Sequence, residues 1–146
     1  MFFDSLSFTG SNQQVSVIAP IYCLDMDWTG VTGSPRLVGG KEVTLHVYGS
    51  LILSEYMAFD FLGDIQFLAT AAGKVIHPAG HTFHRNTYFS GVGGGWILQD
   101  ALVTDSLLQI TSGTFNSESQ PIQTEVLRID AVAPVSIDLG TSILTV

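Results

Sequence analysis

The sequence predicts an all-β protein folded as a parallel β-solenoid, right-handed β-helix-like, with little or no helix. Three observations carry that expectation. Apolar residues alternate with polar ones over long stretches, which is the two-residue period of a strand with one face buried. No window shows an apolar stripe at three- and four-residue spacing with caps at its ends. Glycines and small polar residues recur between the apolar runs, yet neither Asn-Gly nor Asp-Gly occurs. The alternative, an antiparallel sandwich or jelly roll, would favour such tight hairpin turns. At about 20–25 residues per coil, the chain has room for six or seven coils.

Along the chain, the stretch Val15–Trp28 is expected to place Ile18, Tyr22, Leu24, Met26 and Trp28 on one buried face. From Val43 to Phe67 every odd position is apolar except Glu55 and the glycines at 49 and 63. One strand of that length would be abnormal, so short strands joined at Gly49, Glu55 and Gly63 are expected. In GGGWILQDALVTDSLLQITSGT, which spans Gly93–Thr114, the residues Trp96, Leu98, Leu102, Leu108 and Ile110 share the inward phase. Gln99, Asp100 and Asp105 are then expected to face water. Irregular echoes run through the chain: Ser5-Leu6, Ser50-Leu51 and Ser106-Leu107, and the elements CLDMDWTG, AFDFLGD and SIDLGTS. They point to stacked, similar units.

The totals narrow the classes of function. Residues 1–146 make one domain, complete or part of a longer chain or assembly, and large enough for a core. A hydrophobic share of 46% with 12% charged residues excludes disorder. A net charge of −8 with only 5 lysines and arginines disfavours nucleic acid and anionic membrane surfaces. No apolar run is long enough to span a membrane. The start, MFFDSLSFTG, lacks the basic region and apolar core of a signal peptide. That leaves a chain used without such export, or a piece of a longer exported protein. Cys23, the single cysteine, lies among apolar residues and reads as a buried, inert thiol.

The segment GGGWILQDALVTDSLLQITSGTFNSESQPIQTEVLRIDAVAPVSIDLGTSILTV has a recurring rhythm: a glycine pair, a Trp-apolar-Leu strand, a Gln-Asp-apolar turn and a Thr-Phe-Asn corner. It closes on an apolar strand ending Leu-Gly-Thr-Ser, from Ile137 to Ser142. In this it resembles the repetitive β-solenoid-like domains of cell-surface, adhesin-like proteins of Bacteroidetes-type bacteria, with related stretches in phage structural proteins. YGSLILSEYMAFDFLGDIQFLAT and GKVIHPAGHTFHRNTYFSGVGGGW continue the rhythm upstream. The resemblance rests on corner and core residues, so it implies an architecture and no catalytic residue. Pro78, the histidines and SESQPIQTEVLRIDAVAP depart from the family's pattern.

Side chains that could carry chemistry are few. His77, His81 and His84 fall within eight residues around a Pro-Ala-Gly turn, the spacing of a zinc or copper site. No cysteine or carboxylate stands nearby in sequence, and Phe83 in the inward phase sends His84 outward, so surface histidines are the reading. Asp25 and Asp27 project from one side of a strand, and Asp60, Asp64 and Asp138 could join them along a stacked face. Such carboxylates bind calcium or cleave glycosides. Arg36, Arg85 and Arg128 are too scattered to grip an acidic sugar, and a solvated acidic face is expected instead. Gly91–Gly95 would need a following helix to cradle phosphate, but Trp96 opens a strand; a tight corner is expected. Tyr22, Tyr48, Tyr56 and Tyr88 could form a glycan-binding platform if exposed.

The expectation is therefore a non-enzymatic structural or adhesive module of an extracellular bacterial surface protein, without cofactor or metal. A virion component (capsid decoration or fibre) is the first alternative, and a polysaccharide-degrading β-helix enzyme the second. Phe2-Phe3 at one end and Ile143–Val146 at the other are apolar. Solenoid ends expose strand edges and apolar rungs, so the expected partners are neighbouring subunits or further domains there, and glycans.

Overall fold

Corners placed every few residues divide the alternating sequence into nineteen strands, none longer than four residues. The computed structural model describes residues 1–146, and these strands wind into six coils of a three-sided parallel β-solenoid without helix. Coil 1 holds β1 (Gln14–Val17), β2 (Ile21–Cys23) and β3 (Met26–Asp27); coil 2 holds β4 (Arg36–Gly39), β5 (Thr44–Val47) and β6 (Leu51–Ile52). Coil 3 holds β7 (Ala58–Phe61), β8 (Asp64–Phe67) and β9 (Lys74–His77); coil 4 holds β10 (Thr82–Phe83), β11 (Thr87–Phe89) and β12 (Gly95–Leu98). Coil 5 holds β13 (Leu102–Thr104), β14 (Leu107–Ile110) and β15 (Gly113–Asn116). Coil 6 holds β16 (Ile122–Gln123), β17 (Val126–Ile129) and β18 (Val135–Asp138), and β19 (Leu144–Thr145) begins another.

Every ladder is parallel, which rules out the antiparallel sandwich. On the second face Ile21, Leu45, Ile65, Thr87, Leu108 and Leu127 stand in one rank, so successive coils take 24, 20, 22, 21 and 19 residues. The repeat is thus real but uneven. Ser50-Leu51 begins a strand of the third face, whereas Ser106-Leu107 begins one of the second, so those echoes do not mark equivalent positions.

The interior follows the alternation. The apolar odd positions from Val43 to Phe67 are buried, and the three expected junctions fall between strands at Gly49, Glu55 and Gly63. Trp96, Leu98, Leu102, Leu108 and Ile110 are buried as expected. Phe67 stacks on Phe89 at 4.7 Å, and Phe89 meets Trp96 and Phe115 edge-on, at 5.1 and 4.9 Å. Each side chain so buried contributes about 1.5–3 kcal/mol of transfer free energy. Gln99 and Asp105 are exposed, but Asp100 is half-buried.

The expected phase of Val15–Trp28 requires a correction. Met26 and Trp28 are fully buried, but Ile18 is 91% exposed and Tyr22 and Leu24 also face water; Val17 and Cys23 are buried in their stead. The cause is the corner between β2 and β3, which holds two residues, Leu24 and Asp25. Across Leu24-Asp25 the inward series passes from the odd position Cys23 to the even position Met26, whereas across residues 48–50 it passes from Val47 to Leu51 and keeps its parity. Asp25 Oδ1 accepts the Ser50 N–H at 2.7 Å across these stacked corners.

The glycines of 91–95 serve the corner as expected. A Cβ on Gly91 or Gly94 would overlap the Ala69 carbonyl oxygen, and Gly93 has φ +78.

The two ends differ. At the N-terminal end Phe2 pairs in parallel with Asp27, and the Phe3 N–H donates to the Asp27 carbonyl at 2.7 Å. Phe3 and Phe8 then stack on Trp28 at 4.1 and 5.6 Å, closing coil 1 with aromatic rings. Asp4 Oδ1 holds the connecting turn by accepting from the N–H groups of Leu6 and Ser7 and from Ser7 Oγ. At the C-terminal end the continuous core stops at Ile122. Beyond it, Val126, Ile129, Ile143 and Leu144 are exposed. A slot of about 40 Å³, lined only by hydrophobic side chains including Leu127, Ile129, Ile137 and Leu144, opens there.

Candidate functional site

The corner between the third and first faces varies most along the stack. It takes eight residues after coil 1 (28–35), then five (53–57), four (78–81) and three (99–101), and five again after coils 5 and 6 (117–121 and 139–143). Corners that shorten in succession cannot lie flush, and a groove of about 590 Å³ opens where the wall recedes. Thr29, Ile52, Glu55, Tyr56, His77 and Gln99 contribute to its lining, drawn from four coils. Its volume lies within the range of about 300–1,000 Å³ typical of ligand clefts.

The first face is interrupted at the same level. β1, β4 and β7 form one ladder and β10, β13, β16 and β19 another, with no backbone pairing between β7 and β10. Side chains bridge the interruption. His81 Nε2 lies 2.9 Å from the Ser54 carbonyl oxygen, and the Phe83 ring packs 5.7 Å from that of Phe59. Ser54 Oγ accepts the Tyr56 N–H at 3.2 Å, and Asp100 Oδ2 accepts the Gly80 N–H at 3.1 Å. The latter bond secures a turn in which Ala79 has φ +55, a left-handed conformation costly for a residue with a Cβ. His77 Nδ1 and Asp100 Oδ1 are buried atoms 3.6 Å apart, neither hydrogen-bonded to another protein group.

Tyr56 is 65% exposed and also borders a second depression of about 360 Å³, lined by the corner residues 30–34. The tyrosines singled out in the sequence therefore separate. Tyr22 lies flat on His46, with centroids 4.4 Å apart and planes at 4°, so one face of its ring is covered. Tyr88 is half-buried, and burial followed by the nearby Asp64 carboxylate raises its phenol above the ordinary 10.0. Tyr48 is exposed but borders neither depression.

The three histidines do not converge. His77 faces Asp100, His81 the Ser54 carbonyl, and His84 Nδ1 lies 2.9 Å from Asp105 Oδ2. No group of three or more His, Cys, Asp or Glu side chains is placed to hold a metal ion. The aspartates do not share a face either. Asp27 and Asp138 lie on the third, Asp60 on the first and Asp64 on the second. The idea that all of them align is corrected by the corners, which distribute them over three faces and put Asp25 in a corner rather than on a strand beside Asp27. Asp60 pairs with Arg36 at 2.7 Å, Asp64 with Arg85 at 3.2 Å, and Asp27 and Asp138 accept backbone N–H groups of their own turns. Cys23 is buried, and that burial raises its thiol above the ordinary 9.0.

Thr29, Glu55 and Gln99 were not distinguishable in the sequence as site residues. The available signal was the shortening of the corners, legible only once the coils are in register. No helix is long and apolar enough to cross a membrane. No protein-family model, curated protein or solved structure matches this chain.

Proposed function

We propose that this chain is a non-catalytic structural module whose C-terminal coil docks against further β-structure, in the adhesin-like, extracellular setting that its sequence rhythm implies. The observation that carries the reading is the C-terminal end: β17 and β18 present unpaired strand edges beside a small apolar slot lined by Leu127, Ile129, Ile137 and Leu144. Such an edge is a template for another strand, and burying the slot supplies the apolar contact of a docking surface. The absence of catalysis is supported by the employment of the candidate groups in corner hydrogen bonds and ion pairs, with Cys23 inside.

Sedimentation over a wide concentration range tests the reading. The parent is expected to self-associate through its C-terminal end, and Ile137→Lys is expected to leave monomers with an unchanged circular dichroism spectrum. A parent that stays monomeric, with β17 and β18 amides exchanging as slowly as those of β8 and β11, would mean that the end is closed without a partner, and the proposal would fall.

A further inference from the structure

The geometry points to a binding site for an uncharged oligosaccharide in the groove at the third-to-first corner, with Tyr56 as its platform. A pyranose presents an apolar C–H face and a rim of hydroxyls, and it is held where an aromatic ring lies beside hydrogen-bonding side chains. Tyr56 supplies the ring, free of any aromatic partner and 65% exposed, whereas the equally exposed Tyr22 is stacked on His46. Thr29, Glu55, His77 and Gln99 supply donors and acceptors around it, and Ile52 supplies apolar surface.

The charge selects the ligand. Glu55 is the only carboxylate lining the groove, no lysine or arginine lines it, and the chain carries a net charge of −8. A uronate, sialate or phosphate would meet repulsion and no counter-charge, while a neutral sugar hydroxyl can donate a charge-assisted hydrogen bond to the carboxylate. Tyr56 and Gly30 border both the 590 Å³ groove and the 360 Å³ depression, so two adjacent spaces meet at this ring, which suits a chain of sugars better than one unit. The Ser54–Tyr56 bond, the His81 contact and the Asp100–Gly80 bond fix the rim in advance, reducing the ordering cost of binding. The site is remote from the C-terminal end, so its failure and the failure of the docking role are separate results.

Calorimetric titration of the full chain with cello-, malto-, manno- and chito-hexaose tests the inference, with hexagalacturonate as the acidic comparison. Saturable binding of at least one neutral hexasaccharide is expected, and none of the acidic one. Tyr56→Ala should weaken that binding by about tenfold, equivalent to roughly 1.4 kcal/mol. Gln99→Ala should weaken it by about threefold through one lost hydrogen bond, and Tyr48→Ala should leave it unchanged. Absence of saturation by every neutral hexasaccharide at about 10 mM, a concentration that reveals even very weak sites, overturns the inference. So does equal binding of hexagalacturonate, or undiminished binding by both folded variants, Tyr56→Ala and Gln99→Ala.

Discussion

The first and last coils are built from the same alternation but terminate differently. Coil 1 is closed by Phe3 and Phe8 on Trp28 and by the bridge from Phe2 to Asp27, whereas coil 6 leaves Ile129 exposed and Leu127 and Ile137 only half-buried beside a small apolar slot. A solenoid interior is the same hydrophobic surface at every level, so what distinguishes an end is whether side chains from outside the repeat are folded across it. The segment of thirteen residues before β1 does this at one end, while β19 at the other only adds a strand to the first-face ladder.

The difference can be broken from the closed side. Trp28→Ala removes the ring on which both phenylalanines stack and leaves a cavity, and should lower the unfolding free energy by about 3–5 kcal/mol in urea titrations. The corresponding loss at the open end, Ile137→Ala, should cost only about 1 kcal/mol, because that side chain is half-buried already. Equal costs would mean that the two ends are equivalent. Deleting residues 1–8 uncovers Trp28 and should give the protein a second sticky end, read as association that Ile137→Lys no longer abolishes.

The smallest expected effect concerns pH. Hydrogen bonds from the Leu6 N–H first, then from Ser7 Oγ, hold the Asp4 carboxyl below its ordinary 3.8. A depressed folded value means that this contribution is present above 3.8 and fades as the pH falls through the lower folded value. The cap should therefore loosen in acid before the coils do, read as a change in Trp28 fluorescence in a Trp96→Phe background. Asp4→Asn should flatten that early transition; an unaltered transition would place its origin elsewhere.

What could be read in the sequence follows the same physics. Val43–Phe67 was legible because its inward positions keep one parity across all three corners, so one pattern runs through four strands. Val15–Trp28 was misread at Leu24-Asp25, where a two-residue corner reverses it, and counting alone does not reveal where a corner begins. Tyr56 and His77 stood out as residue types. Their neighbours Thr29 and Gln99 come from coils before and after, and a chain whose coils take 19 to 24 residues gives no fixed spacing by which to find them.

The interrupted first face also has a mechanical meaning. Stacked strands resist flexing through rows of backbone hydrogen bonds, and here two sides of the shaft are continuous while the third is slotted between β7 and β10. Flexing that widens the slot strains the His81–Ser54 contact and the Phe59–Phe83 packing instead of a ladder. The rod therefore has one compliant direction at mid-length, and the groove beside Tyr56 lies on the side that opens.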